Sequence, residues 1–196
     1  MKEPGFLVPI RLAATAFAVA AGLCVVILAL LIVFDIVARS AFRFSLQGTD
    51  ELGGYALALV GSLGLTYTLL KRGHPRIDVV LRLLPATARR ALHVVAYALL
   101  AVFAAFMLRH ALNEFSETIS YGTVTNTPLQ TPLWVPQLGW IVGLVLFAVA
   151  TAACSLHGAW LLWREPRRVE EFYGTLTVDE EVQDYVAGDH PPTTLR

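Results

Sequence analysis

Four stretches of this chain, Leu12 to Phe34, Leu52 to Leu70, Ala91 to Leu108 and Leu138 to Trp163, contain no Asp, Glu, Lys or Arg. At about 1.5 Å of rise per residue, helices of these lengths can each cross a hydrocarbon core of about 30 Å. Backbone amides find no water inside a bilayer, so a chain that enters it repeatedly does so as helices, which bond those groups internally. The expected fold is an all-α membrane protein with four transmembrane helices. Composition agrees, because a soluble domain of 196 residues seldom reaches 56% hydrophobic with only 15% charged. The first run is too long for the apolar core of a secretory signal, despite the small residues around Arg39, and reads as a retained helix.

Basic residues fall on alternate sides of the four runs. Lys2 and Arg11 precede the first, Lys71, Arg72, Arg76, Arg82, Arg89 and Arg90 separate the second from the third, and Arg164, Arg167 and Arg168 follow the fourth. Only Arg39, Arg43 and Arg109 stand on the opposite side. Since cytoplasmic segments carry the excess of Lys and Arg, both termini and the 71–90 connector are expected in the cytoplasm. Trp140 and Trp160 would then mark the two interfaces of the last span, with Trp134 and Trp163 just beyond.

Within that connector, Ile77, Val79, Val80, Leu81, Leu83 and Leu84 cover a wide helical face, while Asp78 and Arg82 sit together at i,i+4 spacing. The pattern predicts a short amphipathic interfacial helix between the second and third spans; a plain topology-setting loop is the alternative. Arg72, His74, Arg76, Asp78, Arg82, Arg89 and Arg90 are the candidates for contact with the membrane surface. Each basic residue there would gain about 1 kcal/mol from anionic lipid.

Candidate contact surfaces come next. Asp50 and Glu51 open the second span, where acids favour the positive end of a helix, with Gly48 or Thr49 as N-cap. Gly54, Ala58, Ser62 and Thr66 follow at four-residue spacing, and Gly139 and Gly143 repeat the spacing on the fourth span. Small residues on one stripe let helices approach closely, so both sets read as packing faces, internal or intermolecular. The external loop from Asn113 to Gln137 holds three prolines in NTPLQTPLWVPQ, a shaped path in which Thr131, Pro132 and Trp134 are docking candidates. The four-helix domain is expected over residues 1–165, with a cytoplasmic acidic tail over 166–196, partly disordered.

Nothing in the chain suggests catalysis, since it lacks a Gly-rich phosphate loop, HExxH, GxSxG and paired cysteines. Cys24 and Cys154 lie singly inside spans, which predicts no metal pair and no disulfide framework. A formal net charge of zero offers no reason to expect a nucleic-acid partner. Ion-coupled carriers keep ionisable groups or broken helices near the bilayer midplane, and these uncharged spans suit a subunit better than a solitary carrier. The rival reading uses His93 and His157, which could ligate a b-type haem between facing helices of a redox complex, or leave the chain a purely structural membrane anchor.

The run TDELGGYALALVGSLGLTYTLLKRGHPRIDVVLRLLP resembles the small membrane subunit, the DctQ-type component, of tripartite ATP-independent periplasmic (TRAP) transporters. The likeness rests on Asp50 and Glu51, on Gly61 and Gly64, on His74 with Ile77 and Asp78, on Leu84-Pro85, and on TPLWVPQLGW at the start of the last span. Pro75 stands where that family commonly has an aliphatic residue. The resemblance covers roughly Arg11 to Arg164. It implies a non-enzymatic subunit of the bacterial inner membrane, serving sodium-driven uptake of organic acids. A large membrane subunit would carry substrate and bind the sodium ions, a periplasmic substrate-binding protein would deliver the substrate, and this chain, without a cofactor of its own, would enlarge the scaffold.

Overall fold

The structure, a computed structural model, describes Gly5, residues 7–71 and residues 84–174. Five helices make up that part: α1 (Leu7–Phe42), α2 (Thr49–Leu70), α3 (Ala86–Tyr121), α4 (Trp134–Arg164) and α5 (Pro166–Tyr173). The first four are each long and apolar enough to cross a membrane.

Helices α1 and α3 run well past their apolar stretches, to 36 residues each. Hydropathy marks where lipid ends, not where hydrogen bonding ends, and RHALNEFSETISY beyond Leu108 contains no helix breaker. The helix stops at Gly122, whose φ of 59° permits a left-handed cap; the Gly122 N–H donates to the Ile119 carbonyl at 3.2 Å. The external loop expected from Asn113 is therefore shorter than the sequence suggested, running from Gly122 to Leu133. The expected interfacial helix lies outside the described residues, as does the tail beyond Gly174.

The four long helices form an open row in the order α1, α2, α4, α3, with α1 touching α4 only slightly. Buried positions explain the pairing. On α3 they include Tyr97, Ala104, Ala111 and Thr118, and on α1 Ala14, Ala21 and Asp35, separated by seven residues or a multiple of seven, with His93 and Val94 on α3 and Ala38 on α1 buried beside these series. A seven-residue repeat keeps one seam facing a neighbour, and alanine there lets the backbones come close. The main apolar cluster joins α3 and α4 to α5 through residues such as Tyr97, Ala104, Phe147, Leu161 and Val169. A smaller cluster of Ala111, Ile141 and Leu144 continues the α3–α4 seam toward the end carrying the 122–133 loop, here termed the loop end.

Helix α5 begins at Pro166, which suits a first helical turn because its missing N–H would be unbonded there. It is strongly amphipathic. Val169 and Tyr173 are buried against α3 and α4, so 166–173 packs with the helical domain rather than leaving it.

Candidate functional site

At the loop end, the six residues joining α1 to α2 turn sharply and expose backbone donors that need partners. Asp35 meets that need from inside α1. Its Oδ1 accepts the Leu46 N–H at 2.7 Å and lies 3.4 Å from the Ser45 hydroxyl, while Oδ2 pairs with Arg39 one helical turn on. Asp35 is 3% exposed, and from inside α1 it fixes a hairpin of two helices. The turn ends on Gly48, with φ of 93°, which serves as the N-cap of α2 without a side-chain hydrogen bond. The Thr49 hydroxyl donates back to the Leu46 carbonyl at 3.2 Å.

Glu51 does not cap its own helix. Its Oε1 accepts the Thr125 hydroxyl at 2.9 Å and the Tyr55 hydroxyl, and its Oε2 accepts the Thr127 hydroxyl. Three hydroxyls thus converge on one carboxylate, two of them from a loop more than seventy residues away in sequence. That loop is itself closed as a narrow hairpin. Val124 bridges Pro132, the Thr125 N–H donates to the Thr131 carbonyl at 3.1 Å, and the Leu133 N–H donates to the Thr123 carbonyl at 3.1 Å. At its tip, the Leu129 side chain lies against Gly48 so closely that a Cβ there would collide with it. The α1–α2 turn, the first turn of α2 and the 122–133 loop are clasped together. Of the docking candidates, Thr131 is half-buried in this clasp, whereas Pro132 and Trp134 are exposed beside Val124.

The small-residue stripe of α2 does not stay on one face. Four residues advance a helix by about 40° beyond a full turn, so three such steps carry the stripe a third of the way round. Ser62 and Thr66 are buried within the row, while Gly54 and Ala58 are exposed. Gly139 and Gly143, candidates for contact with another subunit, face inward instead. A Cβ on Gly143 would sit 2.7 Å from the Ser62 carbonyl carbon and 2.9 Å from the Leu63 nitrogen, and one on Gly139 would strike Leu59. Close approach of α2 and α4 within this chain is what those two glycines permit. By contrast Gly53, Gly54, Gly61 and Gly64 have open space where a Cβ would be.

The opposite end reassigns two more candidates. Arg89 forms a two-nitrogen contact with the Glu170 Oε1 of α5, at 3.0 and 2.9 Å, and Arg90 approaches the same oxygen at 3.4 Å. These arginines hold a protein strap rather than the membrane surface alone. Arg72, His74, Arg76, Asp78 and Arg82 lie outside the described residues. His157, weighed as a haem ligand, has its Nδ1 2.7 Å from the Tyr173 hydroxyl and is ringed by Trp160, Phe172 and Tyr173. His93 is buried on α3. The seam of Tyr97, Ala104, Ala111 and Thr118 escaped sequence reading, although its heptad spacing was there to find.

The arrangement orients and joins helices, and among the described residues it gathers no group of His, Cys, Asp and Glu that could hold a metal ion. Residues 28–160 match the family model for tripartite ATP-independent periplasmic transporters, DctQ component. No curated protein and no solved structure gives a match. The matched span runs from the middle of α1 nearly to the end of α4, taking in the clasped loop end and the α2–α4 contact, and on that ground the chain belongs to the DctQ component family of the TRAP transporters.

Proposed function

We propose that this chain is the fixed small subunit of a sodium-coupled TRAP transporter for organic acids, working with a large membrane subunit and a periplasmic substrate-binding protein. The family match across the four spans carries the reading. Spans without a single Asp, Glu, Lys or Arg in their apolar stretches support it, because ion and substrate coupling then falls to the large subunit, which would hold the sodium ions. In this reading the α5 end, with its basic flanks, faces the cytoplasm, and the loop end faces the periplasm.

The exposed part of the α2 stripe is the surface for the large subunit. Gly54 and Ala58 are exposed, as is Gly61, and helix glycines at which a Cβ would meet nothing within 4 Å among the described residues suit the close approach of a foreign helix. The clasped loop, with Pro132 and Trp134 outward, is the surface for the binding protein. Co-expression with the large subunit tests the reading. A tag on this chain should retrieve the large subunit, and sodium-dependent uptake should need both. Ala58→Leu, at an exposed position, should abolish retrieval while leaving this chain folded; retrieval at the wild-type level would remove the α2 surface from the proposal. Uptake by the large subunit and binding protein without this chain would refute the role itself.

A further inference from the structure

Between α1 and α2 at the loop end lies an open groove of about 540 Å³ that the clasp does not fill. Its two walls differ in chemistry. Ile32 and Ile36, one turn apart at the end of the first apolar run, give it an apolar side. Arg39, Asp50 and Gly53 line it beyond that, with Asp35 beneath.

The charges in the groove are unequally engaged. Asp35 is buried and held by Arg39, Ser45 and the Leu46 N–H, so it has little left to offer a ligand. Arg39 uses one terminal nitrogen on Asp35, and its side chain is 62% exposed, which leaves further N–H donors facing outward. The Asp50 side chain is exposed and has no hydrogen bond or ion pair among the described residues. The groove is therefore lined by both a cation and an anion as well as by an apolar wall, where an apolar span gives way to polar connector.

We propose that this groove binds one phospholipid whose headgroup carries a primary ammonium beside its phosphate, with Asp50 taking the ammonium, Arg39 the phosphate, and Ile32 and Ile36 the upper acyl chain. The complementarity selects among lipids. A headgroup with phosphate but no ammonium would satisfy Arg39 and set a second anion near Asp50. A choline headgroup would bring a cation with no N–H to donate, so it would forgo the charge-assisted hydrogen bond. A small soluble anion would leave the isoleucine wall bare. Gly53 has a part in this as well: a Cβ there meets nothing within 4 Å, so the position is free of internal packing, and its missing side chain is part of the groove's width.

The test uses the full chain purified in mild detergent, with native mass spectrometry to count bound lipid and thermal unfolding to follow stabilisation. Phosphatidylethanolamine should bind at one per chain and raise the unfolding midpoint. Phosphatidylglycerol and phosphatidylcholine should bind about tenfold more weakly, the scale of one charge-assisted hydrogen bond, and O-phosphoethanolamine should give no shift. Gly53→Leu should remove the bound lipid while leaving the lipid-free midpoint no lower than the wild type's, because the new side chain grows into the groove alone and a helix loses nothing by giving up a glycine. Asp50→Asn should keep lipid binding but erase the preference for ethanolamine over glycerol. Equal binding of phosphatidylglycerol by the wild type, full retention of phosphatidylethanolamine by Gly53→Leu, or a shift with O-phosphoethanolamine matching that with lipid would each overturn the assignment. So would loss of the lipid on binding the large subunit, which would make the groove a seat for a partner helix. The result does not depend on what the assembled transporter carries.

Discussion

Two glycines on neighbouring helices show how much a residue's surroundings decide. Gly143 lies where α2 and α4 touch, and a methyl group there would press on the backbone of Ser62 and Leu63, which cannot swing aside as a flexible side chain could. Gly143→Ala should therefore cost about 1–3 kcal/mol, the usual range for overpacking, read as a lower midpoint in detergent unfolding. Gly64, on α2, has nothing near its missing Cβ. Gly64→Ala should be neutral or stabilise the isolated chain by about 0.5–1 kcal/mol, because alanine loses less backbone entropy in a helix. Each is a glycine in an apolar run. Spacing marked Gly139 and Gly143 as a contact, but whether the contact was internal depended on which helix came to lie opposite, and no pattern within one helix encodes that. Glu51 was similarly half legible: its place in the first turn of α2 was plain, whereas its hydroxyl partners Thr125 and Thr127 come from a distant loop.

At the scale of elements, apolar runs announced all four long helices, and the ends were misjudged where polarity and helicity part company. The last thirteen residues of α3 are too polar for lipid yet continue the helix, and Tyr121-Gly122 was the readable stop. The 122–133 loop and α5 each depend on a small set of ties, and each can be released separately. Glu51→Ala removes the acceptor shared by Tyr55, Thr125 and Thr127; hydrogen exchange should then quicken across 122–133 while the amides of α2 and α4 keep their protection. If exchange in the loop stayed at the wild-type rate, the hairpin's own backbone bonds would be sufficient and the carboxylate incidental. Val169 on α5 is fully buried, and Val169→Asp would place a charge in the α3–α4 cluster. Helix α5 should undock, and trypsin should cut at Arg167 and Arg168 many times faster than in the wild type, with α1 to α4 intact.

For the whole molecule, orientation is the property on which the proposed division of surfaces rests. The native Cys24 and Cys154 lie within the long helices, one half-buried and one buried, so a new surface cysteine would dominate labelling. Pro128→Cys at the loop tip should react with a membrane-impermeant maleimide in intact spheroplasts, and Arg167→Cys only after the membrane is opened; the reverse pattern would invert the topology. The overall order α1, α2, α4, α3 has a further consequence. A row of helices, like a row of strands, ends in two edges, and an edge is an invitation to add another member. Here the outer edge of α1 carries Leu12, Val19, Leu23, Val26 and Leu30, all well exposed, and that of α3 carries Leu99, Val102, Phe103 and Phe106. Bulky side chains keep backbones apart, and in lipid they gain nothing by leaving one apolar neighbour for another. Both edges are thus blunted along most of their length against side-by-side growth with copies of the same chain, Gly22 on α1 being an open exception, and four more open glycines, Gly53, Gly54, Gly61 and Gly64, lie on α2, in the middle of the wall.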